Sequence, residues 1–260
     1  MQLNHERHFA IQTPAKGSIV LIHGLFGSLS NLGMIARALN QVFDVVQIDL
    51  RNHGLSEHQD AMNYHLMAQD VLDTLDSLNI DGFSVIGHSM GAKVAMKLTQ
   101  LAPMRVNKLI VLDMAPVAYQ QRHHDTIFEA LTAVSDAQIQ TRKQATEIMQ
   151  NYIHENGVIQ FLLKSFKNGQ WLFNVEALKL HYDDIIGWQQ IQVWPKPTLF
   201  IRGENSPYIG KPEYIDMIQQ QFSDYKIKSI SQAGHWLHAE QPDQVISLIV
   251  DFINGNESQI

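Results

Sequence analysis

The residues with the clearest chemistry are Gly87-His88-Ser89-Met90-Gly91, a G-x-S-x-G pattern. A serine hydroxyl is a weak nucleophile until geometry and a neighbouring base activate it. The flanks supply the geometry. Phe83 to Ile86 read as a short buried strand, and Ala92, Val94, Ala95, Leu98 and Leu101 give an apolar helix immediately after the motif. A serine on so tight a strand-to-helix turn holds a strained backbone, and Gly87 and Gly91 leave room where side chains would collide. The start of the helix places unpaired N–H groups and positive partial charge beside the hydroxyl. Such a set serves acyl transfer through a covalent intermediate.

The chemistry needs a base, an acid and an oxyanion site. Thirteen histidines make any single one cheap evidence. His235 stands out because it follows the last strand, in Ala233-Gly234-His235-Trp236, and precedes a terminal helix opened by Pro242. His238 is its rival; His23 and His88 fit better as braces of the oxyanion loop and the elbow. For the acid, Asp113 leaves the C-terminal end of an apolar strand, where open α/β sheets bind ligands. Glu204, on the loop Arg202-Gly203-Glu204-Asn205-Ser206-Pro207, is the other carboxylate in reach. The Gly-rich exit His23-Gly24-Leu25-Phe26-Gly27-Ser28 offers an oxyanion donor, with Leu25 N–H preferred, Phe26 N–H second, and Met90 N–H as its partner. Phe26, His88 and Trp236, beside these groups in the chain, are the expected substrate contacts. Asp49 and Arg51, in Asp49-Leu50-Arg51-Asn52-His53-Gly54, are expected to brace their loop as an ion pair or through hydrogen bonds, not to act as acid and base.

These groups need a sheet to hold them. Strands are expected at His8–Gln12, Ser18–Ile22, Val42–Ile48, Phe83–Ile86, Val106–Leu112, Thr198–Ile201 and Lys226–Ile230, alternating with helices at Leu32–Leu39, Tyr64–Leu78 and Glu213–Phe222. The alternation stops between residues 116 and 194. That stretch reads as an all-helical cap inserted into a core of residues 1–115 and 195–260. Within it, Ser135-Asp136-Ala137-Gln138 resembles a capping box opening a helix over Ile139–Ile153, followed by helices over Val158–Phe166 and Val175–Ile186. Its aromatic residues serve as cap core or acyl-pocket lining.

Bulk properties narrow the function. The chain has 260 residues, a net charge of −7 and no cysteine. Net acidity argues against a nucleic-acid partner. The absence of cysteine removes disulfides and thiolate chemistry and suits a reducing compartment. Residues 1–12 carry no apolar signal region and no apolar run is long enough to span a bilayer, so a cytoplasmic protein is expected. No cofactor is required, and no cluster of His, Asp and Glu has metal-ligand spacing. The oligomeric state is not legible.

Taken together, the His23–Ser28 loop, the Asp49–Ser56 loop, the Gly87–Gly91 elbow, Leu112-Asp113-Met114-Ala115-Pro116, Asn205-Ser206-Pro207 and Gly234-His235-Trp236 resemble the α/β-hydrolases of the compact bacterial esterase type known as YbfF-like. The resemblance covers essentially the whole chain. It implies an α/β-hydrolase fold with an eight-stranded, mostly parallel sheet and a helical cap. It also implies a serine esterase or thioesterase acting on small acyl esters or acyl-CoA thioesters, with Asp113 as acid and Ser206 as its hydrogen-bond partner. Many α/β-hydrolases instead carry the acid about where Ser206 stands. The alternatives are a C–C hydrolase or an acyltransferase on the same fold, or a catalytically silent protein that binds a hydrophobic ligand.

Overall fold

The computed structural model describes residues 1–255; the last five residues of the expected second core segment, 256–260, lie outside the described residues. The strands in chain order are β1 (His5–His8), β2 (Ser18–Ile22), β3 (Asp44–Ile48), β4 (Phe83–His88) and β5 (Val106–Leu112). A short hairpin, β6 (Phe166–Lys167) and β7 (Gln170–Trp171), precedes β8 (Thr198–Gly203) and β9 (Tyr225–Ile230). The helices are α1 (Gly33–Leu39), α2 (Tyr64–Ser77), α3 (Met90–Leu101), α4 (Asp125–Asp136), α5 (Arg142–Met149), α6 (Asn156–Leu163), α7 (Val175–Leu180), α8 (Tyr182–Ile186), α9 (Pro212–Gln221), α10 (Leu237–Glu240) and α11 (Pro242–Asn254).

The main sheet runs β1-β3-β2-β4-β5-β8-β9, all parallel except β1, which pairs antiparallel with β3. Its interior strands are largely apolar toward their C-terminal halves because both faces are covered there. Val20 and Ile22 join one core with α2 and α3, while Ile19 and Leu21 join another with α1 and α11. Alternate residues of one strand therefore hold two helical layers.

Several expectations need correction. The described sheet has seven strands, not eight. The segment before β1 is instead committed to α2: the Met1 ammonium meets Asp70 and Asp73, and Leu3 N–H donates to Thr74 Oγ1 at 2.9 Å. The first strand is His5–His8, not His8–Gln12, because Ile11 and Gln12 donate instead to the carbonyls of Asn40 and Gln41. The segment 116–194 is not all helical, since it contains the β6–β7 hairpin. Ser135 does not open a helix. It lies within α4, its hydroxyl bonds back to Leu131 O, and Gln138 takes a positive φ beyond the helix end. The capping box is formed by Thr141 and Gln144 at α5. The expected helix Val175–Ile186 is two helices broken at His181.

Candidate active site

Ser89 sits between β4 and α3 with φ +55° and ψ −120°, a conformation that costs about 1–3 kcal/mol and needs support. The support is close packing. A Cβ on Gly87 would lie 2.3 Å from Gly91 O, and one on Gly91 would lie 2.3 Å from His23 O and 2.4 Å from Ile22 O. The two glycines thus admit the turn against itself and against the end of β2, respectively. Ser89 N–H is also tied to Leu112 O at 3.1 Å, which fixes the elbow to β5.

His235 reaches this turn from the loop after β9. Its Nε2 lies 2.9 Å from Ser89 Oγ and its Nδ1 2.7 Å from Asp113 Oδ2. Asp113 is fully buried at the end of β5, where its own φ is +54°. Its carboxylate accepts from Gly203 N–H at 3.1 Å and from the Ser206 hydroxyl as well as from His235. Three donors compensate a carboxylate that burial would otherwise penalise. Ser206 Oγ in turn accepts from Tyr208 N–H at 3.3 Å. The β5–β8 pairing of Leu112 with Ile201 makes this possible, because it sets the two strand ends side by side. Glu204 points elsewhere and accepts from Gln232 N–H at 3.1 Å.

The loop after β2 lies over Ser89. Phe26 holds φ +61°, and its N–H donates to His53 Nε2 at 3.2 Å, so this second-choice oxyanion donor is already engaged. Among the described residues, neither Leu25 N–H nor Met90 N–H has an acceptor within the protein. His53 Nδ1–H donates to Arg51 O at 2.9 Å. Burial first, then the neighbouring His23, pushes the His53 imidazole down to about 3, so it stays a neutral acceptor. His23 plays a parallel part, accepting from Leu50 N–H at 3.1 Å and donating to Gly24 O at 2.7 Å. Burial lowers its pKa also. Asp49 and Arg51 both brace, though not with each other. Asp49 accepts from Leu29 N–H, Leu55 N–H and the Asn4 amide, while Arg51 forms a bidentate pair with Asp70.

Ser89 opens into two clefts. The first is lined by His235, Trp236, Phe26, His88, Phe161 and Leu162, among others. The second is lined by Leu25, Met90, Lys93, Met114, Tyr119 and Tyr208, among others. A roomier groove opens beside Tyr64 and Trp188 and does not reach Ser89. All three expected substrate contacts line the first cleft. Phe26 mainly packs the loop after β2 against the segment between β5 and β8, its ring 5.3 Å from both Phe128 and Phe173. The polar end of His88 is occupied: Nε2–H donates to His235 O at 2.9 Å, which orients the His235 loop. Burial, with His238 and His235 nearby, holds His88 well below its ordinary pKa. His238 packs on the His88 ring at 4.3 Å and makes no hydrogen bond to Ser89. Among the described residues no group of three His, Asp or Glu side chains is arranged to hold a metal ion, and no helix is long and apolar enough to cross a membrane.

Sequence reasoning missed the residues that hold the His235 ring and its loop in place. The Tyr208 ring stacks on His235 at 4.1 Å, and Tyr119 donates its hydroxyl to Tyr208 O at 2.8 Å. Glu240 accepts Gly234 N–H at 2.6 Å, next to His235. None carries a local motif. Lys93 is one of two lysines in α3, and unlike Lys97 it is buried.

Comparison with known proteins adds a family context. A family model described as the alpha/beta hydrolase fold matches residues 17–242. Esterase YbfF of Escherichia coli (strain K12) is 50% identical over 254 residues, covering 98% of this chain and 100% of that protein. The sn-1-specific diacylglycerol lipase ABHD11 of Danio rerio is 36% identical over 249 residues, covering 90% of this chain and 78% of that protein. The solved structure of a marine microorganism esterase superposes with a TM-score of 0.89 at 35% identity, covering 96% of this chain and 99% of that one.

Proposed function

The chain belongs to the α/β-hydrolase fold family and is a carboxylic ester hydrolase, and from that premise we propose that it cleaves small acyl esters through an acyl-enzyme on Ser89. The observation that carries this reading is the continuous contact from Ser89 Oγ to His235 to Asp113, at 2.9 and 2.7 Å, at the junction of two clefts. His235 takes the Ser89 proton as Oγ attacks the ester carbonyl. Asp113 keeps Nδ1 protonated, so Nε2 is the basic nitrogen, and it stabilises the imidazolium that forms. The carbonyl oxygen gains negative charge and is held by the N–H groups of Leu25 and Met90, which are free of protein acceptors. His235 then gives its proton to the departing alcohol oxygen. Water, deprotonated by the same imidazole, attacks the acyl-enzyme and releases the acid.

The two clefts divide the substrate. His235 lines the first and Met90 the second. The leaving group must lie where the imidazole can protonate it, so it occupies the first cleft, and the acyl group extends into the second. Thioesters, acyl-CoA included, share the same carbonyl chemistry and belong to the substrate range we assign. Names among the relatives, esterase and diacylglycerol lipase, agree with an ester bond as target. We propose a cytoplasmic location as part of this reading. The test is a mass shift from a fluorophosphonate on the peptide bearing Ser89, with turnover of a panel of p-nitrophenyl esters and acyl-CoAs. Turnover without labelling of Ser89 would overturn the mechanism.

A further inference from the structure

Lys93 takes no part in the acyl chemistry, yet it is only 1% exposed and lies one helical turn after Ser89. Its ammonium donates to Ile186 O at 3.0 Å and to Gly187 O at 2.8 Å. It also lies over the rings of Tyr119, Tyr64 and Trp188, at 4.9, 5.6 and 5.9 Å. Among the described residues it has no carboxylate partner. A lysine buried without a counter-ion is costly, and burial pushes its pKa down to about 7. Carbonyls at the end of α8 and three aromatic faces offset that cost, since a cation suits both a helix C-terminus and a ring face.

Its position gives the cost a purpose. The chain leaves the core for the cap at Pro116–Tyr119 and returns through Ile186–Trp188. Tyr119 N–H donates to Ile186 O at 2.9 Å, so a single carbonyl joins the two necks to each other and to Lys93. Tyr119 continues the connection. Its hydroxyl accepts Ala115 N–H at 2.9 Å and donates to Tyr208 O, whose ring stacks on His235.

We propose that Lys93 is a positioning residue that cinches both necks of the cap onto the nucleophile helix and so sets the shape of the cleft that receives the acyl group. Only the identity of the cleft's occupant rests on the ester-hydrolase reading. In Lys93→Met the side-chain length is kept and the donors are lost. Fluorophosphonate titration of Ser89 should stay complete. KM for a p-nitrophenyl octanoate ester should rise about tenfold more than KM for the acetate, with the two kcat values falling in parallel. Hydrogen exchange at the Tyr119 amide should quicken at least tenfold. Equal loss on both esters in fully titrated protein, or unchanged exchange at Tyr119, overturns the proposal. Should Lys93→Met not fold, Trp188→Leu removes one ring of the cage and carries the same test, with an expected shift of about threefold in the same direction and the same overturning results. A wild-type protein whose Ser89 does not label would strike the ester-hydrolase reading alone, and the exchange measurement would still decide the cinch.

Discussion

The ends of the strands and the cap are held together by different means. At the strand ends, Phe26, Asn52, Ser89 and Asp113 all take positive φ, and nearly every polar group has an assigned partner. The cap is assembled largely from helices of five to twelve residues that meet through aromatic rings, such as Phe128 of α4 edge-on to Tyr182 of α8 at 5.2 Å. Directional hydrogen bonds fix atoms within tenths of an ångström, whereas apolar packing constrains volume and tolerates exchange of one ring or alkyl group for another. The rate of reaction should therefore be controlled by the strand ends, and substrate preference by the cap.

The largest effect is expected at the proposed nucleophile. Ser89→Ala should fold as the parent does, judged by circular dichroism, and lose about 10⁴-fold or more in kcat. Retained turnover in purified protein would remove the strand-end site from the mechanism. Asp113→Asn should lose up to about 10⁴-fold in kcat, because an amide no longer enforces the Nδ1–H tautomer of His235. Ser206→Ala removes one hydrogen bond to a buried charge, worth roughly 1.5–3 kcal/mol, and should cost about 10- to 100-fold. Glu204→Gln should cost less than about tenfold, since Glu204 only braces Gln232. Inverted results for Asp113 and Glu204 would reassign the acid.

A cap variant sharpens the contrast. Phe161 lines the first cleft and lies 5.7 Å from the Trp236 ring. Phe161→Ala should raise KM for bulky-alcohol esters about 5- to 20-fold with kcat changed by less than about threefold. A kcat loss comparable to that of Ser206→Ala would erase the proposed division between rate and preference.

The smallest activity effect accompanies a stability effect at the strand ends. His53 and His238 are buried neutral, chiefly because burial holds each at about 3. Below their ordinary value near 6.5 the unfolded chain gains protons that the folded protein refuses. Stability is thus fully present above about pH 6.5 and falls as pH drops toward 3, by up to roughly 1.4 kcal/mol per pH unit for each histidine. Urea midpoints measured from pH 7 to pH 5 should fall steadily. A flat profile would mean that these rings are not held neutral.

How much of this was legible beforehand followed contact distance along the chain. The elbow was readable because strand, glycines, serine and helix are contiguous, and a five-residue spacing carries the steric argument. The loop after β2 was legible as a Gly-rich strand exit, with Leu25 N–H already preferred; that Phe26 N–H is engaged by His53, 27 residues away in sequence, was not legible. The segment 116–194 was legible as a break in the strand–helix alternation and illegible inside. Short helices with weak ends, such as those meeting at His181, are ended by tertiary contacts, not by local signals.

The sequence alone determined the elements whose causes lie within a few residues: apolar runs that must be doubly covered strands, a serine turn that tolerates only glycine around it, and a histidine loop late in the chain. Tertiary structure decided everything that required two distant segments to meet. Asp113 and Ser206 are 93 residues apart, His235 and Ser89 are 146 apart, and Lys93 reaches the returning neck of the cap across 93 and 94 residues. Hydrogen bonds act over about 3 Å, and a chain announces only those partners that its local geometry already brings that close. The meeting of Asp113 and Ser206, which the family resemblance implied and local spacing could not show, comes about because parallel strand pairing sets the ends of β5 and β8 side by side.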